Sequence, residues 1–199
     1  MGLTDIVQRR LAGIRSSKGT FHVLEDEPEK RVLMLGLDAA GKATMLNQLK
    51  LDEVINSTVG FNVESFRFAN MNFTVWDCGS QDKIRPFWSH YYRGTEGMIF
   101  VVDSSDKSRI EEASTVLAGL LAEEAIHGVP LLVLANKQDL PGALNVDEIT
   151  EKLKLRKLKG LQWSVQPTCG TEGHGLHDAL GWLACNMHST DISSKMFIR

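Results

Sequence analysis

The sequence predicts an α/β fold in which helices cover a mostly parallel sheet, and three observations carry that prediction. Short apolar runs alternate with segments of helical period along most of the chain. Two of the runs, 98–102 and 131–135, are almost continuously apolar, as strands buried on both faces of a parallel sheet are. A glycine-bearing loop joins an earlier run, 32–35, directly to a helical segment, the connection expected of a layered sheet whose ligands bind at the carboxyl ends of its strands.

Composition agrees. With 199 residues, 43% of them hydrophobic and 24% charged, the chain suits one full-sized domain that buries a core without disulfides or a structural metal. Collagen-like and wholly disordered classes are excluded. The 22 basic and 25 acidic side chains leave a net charge of −3, and no stretch forms a basic arm, so no nucleic-acid partner is expected. Cys78, Cys169 and Cys185 are odd in number and lack zinc or redox spacing, which fits a reducing, cytoplasmic compartment. No run of about 18 apolar residues could span a membrane, and no apolar core of a secretory signal opens the chain.

Residues 1–20 read as an N-terminal amphipathic helix. Leu3, Ile6, Val7, Leu11 and Ile14 recur at helical spacing, and Arg9, Arg10, Arg15 and Lys18 against the single Asp5 make the segment cationic. That charge suits an anionic membrane surface; the alternative is a helix docked on its own domain. Residues 21–30, charged and holding Pro28, form a linker to a domain over 31–188. After the strand at 32–35 comes a helix at 44–49. Residues 61–68 and 71–76 alternate and are separated by Ala69 and Asn70, the pattern of a β-hairpin. Ile110, Ala113, Leu117, Leu120 and Leu121 mark a crossover helix between the strands 98–102 and 131–135. A last strand ends at 164–166, and Leu176, Ala179, Leu180, Leu183 and Met187 mark the final helix. Residues 189–199 have no period and form a flexible tail.

The strongest motif is Gly36-Leu37-Asp38-Ala39-Ala40-Gly41-Lys42, which matches the first seven positions of G-x-x-x-x-G-K-[ST] between a strand and a helix. Backbone N–H groups of such a loop form an anion cradle at a helix N-terminus, and the lysine reaches the outer phosphates. A chance glycine turn would lack those flanks. The eighth position is Ala43, where the motif calls for a hydroxyl that ligates Mg²⁺, and a methyl cannot replace it. Thr44 follows, but one helical residue is turned by about 100°. Mg²⁺ keeps waters readily, so weakened coordination is expected rather than none.

Asn136-Lys137-Gln138-Asp139 follows the strand 131–135 about 100 residues later. A carboxylate at Asp139 can accept the ring N–H and the exocyclic amine of guanine together, a pair adenine does not offer, so GTP and GDP are favoured over ATP. Lys137 can lie along the base, and Asn136 can tie this loop to the phosphate loop. Cys169-Gly170-Thr171 can turn backbone N–H groups toward the guanine carbonyl. A polar turn would explain the four residues alone, but not beside a phosphate loop.

These motifs, with Thr58-Val59-Gly60-Phe61-Asn62-Val63-Glu64, Trp76-Asp77-Cys78-Gly79-Ser80-Gln81 and the continuation Leu140-Pro141, make the chain resemble the ADP-ribosylation factor (Arf) and Arf-like small GTPases from the N-terminal helix to about Met187. The resemblance implies the P-loop small GTPase fold, a mostly parallel six-stranded sheet flanked by helices, and a nucleotide-controlled switch that recruits effectors to membranes. It implies that Thr58 closes on Mg²⁺ and γ-phosphate, that Asp77 holds a metal-bound water, that Gly79 and Ser80 lie against the γ-phosphate, and that Gln81 orients the attacking water. It implies an effector patch at Phe61, Trp76 and Tyr91, for which ordinary core is the alternative, and binding of exchange factors and GTPase-activating proteins. The hairpin between Phe61 and Trp76 would slide in register between nucleotide states and displace the N-terminal helix.

The departures concentrate on the phosphate and metal side. Ala43 replaces the family's Mg²⁺-binding threonine, Ser80 a glycine, and Ser57 a proline; Gly170 stands where alanine is common. A guanine-nucleotide binder with impaired magnesium-dependent switching and slow hydrolysis is expected, with a non-hydrolysing scaffold as the rival. A P-loop kinase or ATPase is disfavoured by Asp139. Gly2 invites myristoylation, but Ile6 breaks the M-G-x-x-x-[ST] pattern. His174 and His177 read as solvated, Cys78 as packing, and the five basic residues of 152–159 as a solvated face.

Overall fold

The computed structural model describes residues 29–51, 63–68, 71–77 and 85–187; the expected N-terminal helix, most of the linker, the tail, Thr58, Phe61, Gly79, Ser80 and Gln81 lie outside them, and of Asp77 only the backbone is described. Six strands form one sheet: β1 (Glu29–Gly36), β2 (Val63–Phe68), β3 (Met71–Asp77), β4 (Gly97–Asp103), β5 (Leu131–Asn136) and β6 (Trp163–Pro167), in the order β2-β3-β1-β4-β5-β6. Only β2 and β3 are antiparallel, which is the expected hairpin, with Val63 opposite Trp76 and Phe68 opposite Met71. All other neighbours run parallel. The last two residues of the expected linker, Glu29 and Lys30, already pair with Asn72 and Phe73, so β1 begins earlier than its apolar run.

Side chains of successive strand residues point to opposite faces, and the sequence supplies apolar groups to both. Leu33, Leu35, Met98, Phe100, Leu131 and Val133 face one core with Ile110, Ala113, Leu117 and Leu120 of α2 (Ile110–Leu121). Val32, Met34, Ile99, Val101, Leu132 and Leu134 face the other, against Met45, Leu46 and Leu49 of α1 (Lys42–Leu51) and the apolar stripe of α4 (Leu176–Met187). Each such fully buried side chain contributes about 1.5–3 kcal/mol, which explains why the central strands tolerate so little polarity.

One helix escaped the periodicity argument. α3 (Val146–Lys152) is too short for a clear stripe, but it begins with a complete capping box: Asn145 accepts from the Glu148 N–H at 3.0 Å, and Glu148 accepts from the Asn145 N–H at 2.9 Å. That signal was present in Asn145-Val146-Asp147-Glu148. The basic run after it is a solvated face in part only, because Leu153 and Leu155 within it are buried.

Candidate functional site

The site lies where the parallel strands end. β1 closes at Gly36, and residues 37–41 turn into α1, whose first residue is Lys42. Gly36 has φ +147°, and a Cβ there would overlap the carbonyl oxygen of Val101 in β4; at Gly41, φ +101°, it would overlap the Asn136 amide. Both glycines are therefore demanded by conformation and by close backbone approach. The Lys42 ammonium is buried and donates to the carbonyls of Leu37 (3.0 Å) and Gly36 (3.4 Å), keeping a positive charge inside the loop.

Asn136, at the end of β5 and 2% exposed, joins three loops. Its Nδ2 donates to the Ala40 carbonyl (2.8 Å), and its Oδ1 accepts from the Gly170 N–H (3.0 Å) and the Thr168 hydroxyl (3.5 Å). The expected tie between base loop and phosphate loop thus exists across 96 residues. Asp139 stands exposed at the tip of the loop that follows. The Cys169 N–H donates to the His174 carbonyl at 3.1 Å, so it and the Gly170 N–H are both anchored within the protein. A Cβ at Gly170 would come within 2.9 Å of Met45 Cγ, so the missing methyl makes room for a longer side chain in α1.

Two site residues were not singled out by sequence. Asp103 ends β4 directly opposite Asn136 in register, and its Oδ2 pairs with Lys137 Nζ at 2.6 Å. Burial pushes its carboxyl up, but Lys137 and the N–H and hydroxyl of Ser105 more than offset this and hold it below the usual carboxylate range. Its position at a strand's carboxyl end was the available signal. Arg109 donates to Asp38 from 71 residues away, a separation at which sequence carries no cue.

Backbone strain marks the same place. Among the described residues, three that are not glycine have positive φ, and two of them, Ala39 (59°) and Lys137 (65°), lie in the phosphate and base loops. Such conformations cost roughly 1–3 kcal/mol and persist where surrounding contacts over-determine them, commonly at ligand sites.

Of the expected aromatic patch, Trp76 and Tyr91 lie among the described residues and Phe61 does not. Trp76 and Tyr91 are half-buried with ring centroids 5.5 Å apart, and the Arg31 guanidinium lies 4.2 Å over the indole. Both rings pack in part against the core, and Arg31 of the neighbouring strand β1 covers the indole. Among the described residues Phe87, in the seven-residue 3-10 segment Arg85–Tyr91, is the large aromatic that protrudes, 56% exposed. His174 pairs with Glu172 at 3.0 Å and His177 meets the Phe68 ring edge-on; among the described residues no cluster of histidine, cysteine and acid side chains could hold a metal ion.

These residues fit a guanine nucleotide. Gly36 and Gly41 give the loop a backbone path that a Cβ would block, Lys42 supplies the cation, and Asp139 presents an exposed carboxylate in the loop that Asn136 ties to it. They fit its magnesium ion less well, because Ala43 is exposed in the first turn of α1 and offers only a methyl. A model described as the ADP-ribosylation factor family matches residues 18–187. Among solved structures, the chain is similar to the Arl6 BBS3 small GTPase from Trypanosoma brucei with bound nucleotide analogue GppNp. The two are 36% identical over 80% of this chain and 97% of that one, with a TM-score of 0.72.

Proposed function

The chain belongs to the ADP-ribosylation factor family of small GTP-binding proteins, and on that premise we propose that it is an Arf-like switch whose magnesium-dependent step and hydrolysis are weakened. In this reading it recruits effectors to a membrane in vesicle traffic. The observation that carries it is Ala43. Every other part of the cradle is intact, from Gly36 to Lys42, while the position that would ligate the metal holds a methyl exposed at the helix start. Bound magnesium neutralises charge on the phosphates of a nucleoside triphosphate. Lys42 and the helix N-terminus supply the positive charge this chain itself contributes there. Gln81 would orient the attacking water, Thr58 would ligate the metal and Asp77 would hold one of its waters; Ser80 adds a side chain where a bare backbone is expected.

Reversible attachment to an endomembrane belongs to the same proposal and rests on the cationic amphipathic pattern of residues 1–20, with or without an acyl chain on Gly2. Among the described residues no helix is long and apolar enough to cross a membrane. Ala43 also favours a second reading, a scaffold that binds partners whatever nucleotide it holds. Partner capture compared between the GDP form and the form bound to a non-hydrolysable GTP analogue separates the two, since a switch discriminates and a scaffold does not.

The metal proposal is tested by chelation. Release of a fluorescent GDP analogue should change little when EDTA is added, and Ala43→Thr should slow release in magnesium by about tenfold, the effect of one metal contact worth roughly 1.4 kcal/mol. Steep acceleration on chelating the unmodified protein, or an Ala43→Thr variant with unchanged retention, overturns it.

A further inference from the structure

The phosphate loop contains an acid, and an unpaired carboxylate beside a diphosphate would repel it. Asp38 is not unpaired. Arg109, at the N-terminal boundary of α2, reaches it with two nitrogens: Nη2 donates to the Asp38 carboxylate (2.6 Å) and Nη1 to the Asp38 main-chain carbonyl (3.5 Å). The third donor, Nε, binds Glu112 (2.9 Å), which also accepts from Arg85 (2.7 Å). The guanidinium is thereby oriented by its own helix before it meets the loop. The Arg109 hydrogen bond, partly opposed by desolvation, holds the Asp38 carboxyl below its ordinary value.

Placement gives this pair its meaning. Ala39, the next residue, is the strained one, with φ 59°. Its neighbours' carbonyls are gripped from both sides, that of Asp38 by Arg109 and that of Ala40 by Asn136 (2.8 Å). The left-handed turn that aims the loop's N–H groups is held by two long-range clamps, and only one of them belongs to the base-reading motif. We propose that Arg109 is a positioning residue for the diphosphate cradle: it neutralises Asp38 and holds the strained turn at Ala39 in its ligand-binding shape. The pair is partly exposed, 32% for Arg109 and 53% for Asp38, so its own contribution to folding is small. Its effect falls on retention of the ligand instead. Through Glu112 and Arg85 the clamp also connects to the 3-10 segment Arg85–Tyr91.

The inference rests on the nucleotide-binding reading, and the experiment keeps the two apart. Release of a fluorescent GDP analogue is measured by stopped flow from the full-length protein and from Arg109→Ala, Arg109→Lys, Asp38→Ala and the double variant Asp38→Ala/Arg109→Ala, with Arg156→Ala as a remote ion-pair control. Arg109→Ala should release about tenfold faster, Arg109→Lys should recover part of the loss, and Arg156→Ala should match the unmodified protein. Removing Arg109 from Asp38→Ala should add little, because the two act as one unit. Thermal unfolding of the nucleotide-free variants should stay close to that of the parent, which a merely structural role would not allow. Release from Arg109→Ala at the parent rate, or an equal acceleration in the Asp38→Ala background, overturns the inference alone. A parent protein that binds no guanosine diphosphate overturns the functional reading beneath it.

Discussion

Asn136→Ala will destabilise the protein by about 2–4 kcal/mol and strip it of nucleotide, the largest functional loss expected from one side chain. The magnitude follows from what the amide leaves behind. The Ala40 carbonyl and the Gly170 N–H both lose their partner in a region where Asn136 is 2% exposed, and a buried polar group left unsatisfied costs roughly 1–3 kcal/mol. The strained turn at Ala39 loses its second clamp at the same moment, and the Gly170 loop is no longer tied to the phosphate loop. Equilibrium urea unfolding should show the lower midpoint, and equilibrium titration with the fluorescent GDP analogue should show the lost affinity. Asn136→Asp is the informative companion: it keeps the acceptor for Gly170 but offers no donor to Ala40, so it should restore part of the stability and little of the binding. Wild-type affinity in Asn136→Ala would mean the phosphate loop holds its shape without the base loop.

Gly36→Ala is expected to be the most damaging single methyl. The residue has φ +147°, a region that L side chains rarely adopt, and the new carbon would overlap the Val101 carbonyl oxygen. Neither side can yield cheaply. Gly36 and Val101 are partners in the β1–β4 ladder, at the centre of the sheet and directly under the cradle. Overpacking costs roughly 1–3 kcal/mol and the backbone conformation about 1–2 more, so a loss of about 3 kcal/mol or greater is expected in urea unfolding. A loss below about 1 kcal/mol would show that the two strands can part at this point without consequence. A matched substitution at Gly119, where a Cβ meets nothing within 4 Å, should be harmless or slightly stabilising, since alanine is the better helix former.

Legibility in the sequence tracked the range of the interaction. The strands 98–102 and 131–135 were readable because burial on both faces leaves an uninterrupted apolar run, and β4 and β5 extend each by only one or two polar or glycine residues. The hairpin was readable because its register is set by alternation across a short turn. α3 was missed because a helix of seven residues shows no stripe, although its capping box was written in four consecutive residues. The packing of Trp76 on Tyr91 and under Arg31 was open to either reading, since exposure depends on which parts of β1 and β3 lie against the rings.

The same division runs through the site. Gly36, Gly41, Lys42 and the Asn136-Lys137-Gln138-Asp139 run were recognisable because backbone geometry and base chemistry each demand particular residue types at fixed local spacing, and because Ala43 departs from that demand at a countable position. The pairing of Lys137 with Asp103 and of Arg109 with Asp38 had no such local rule. A salt bridge needs only opposite charges brought within reach, and many lysines, arginines and acids along the chain qualify equally until folding selects among them. That selection is made by the register that sets Asp103 opposite Asn136, and by packing that carries the start of α2 to the phosphate loop across 71 residues.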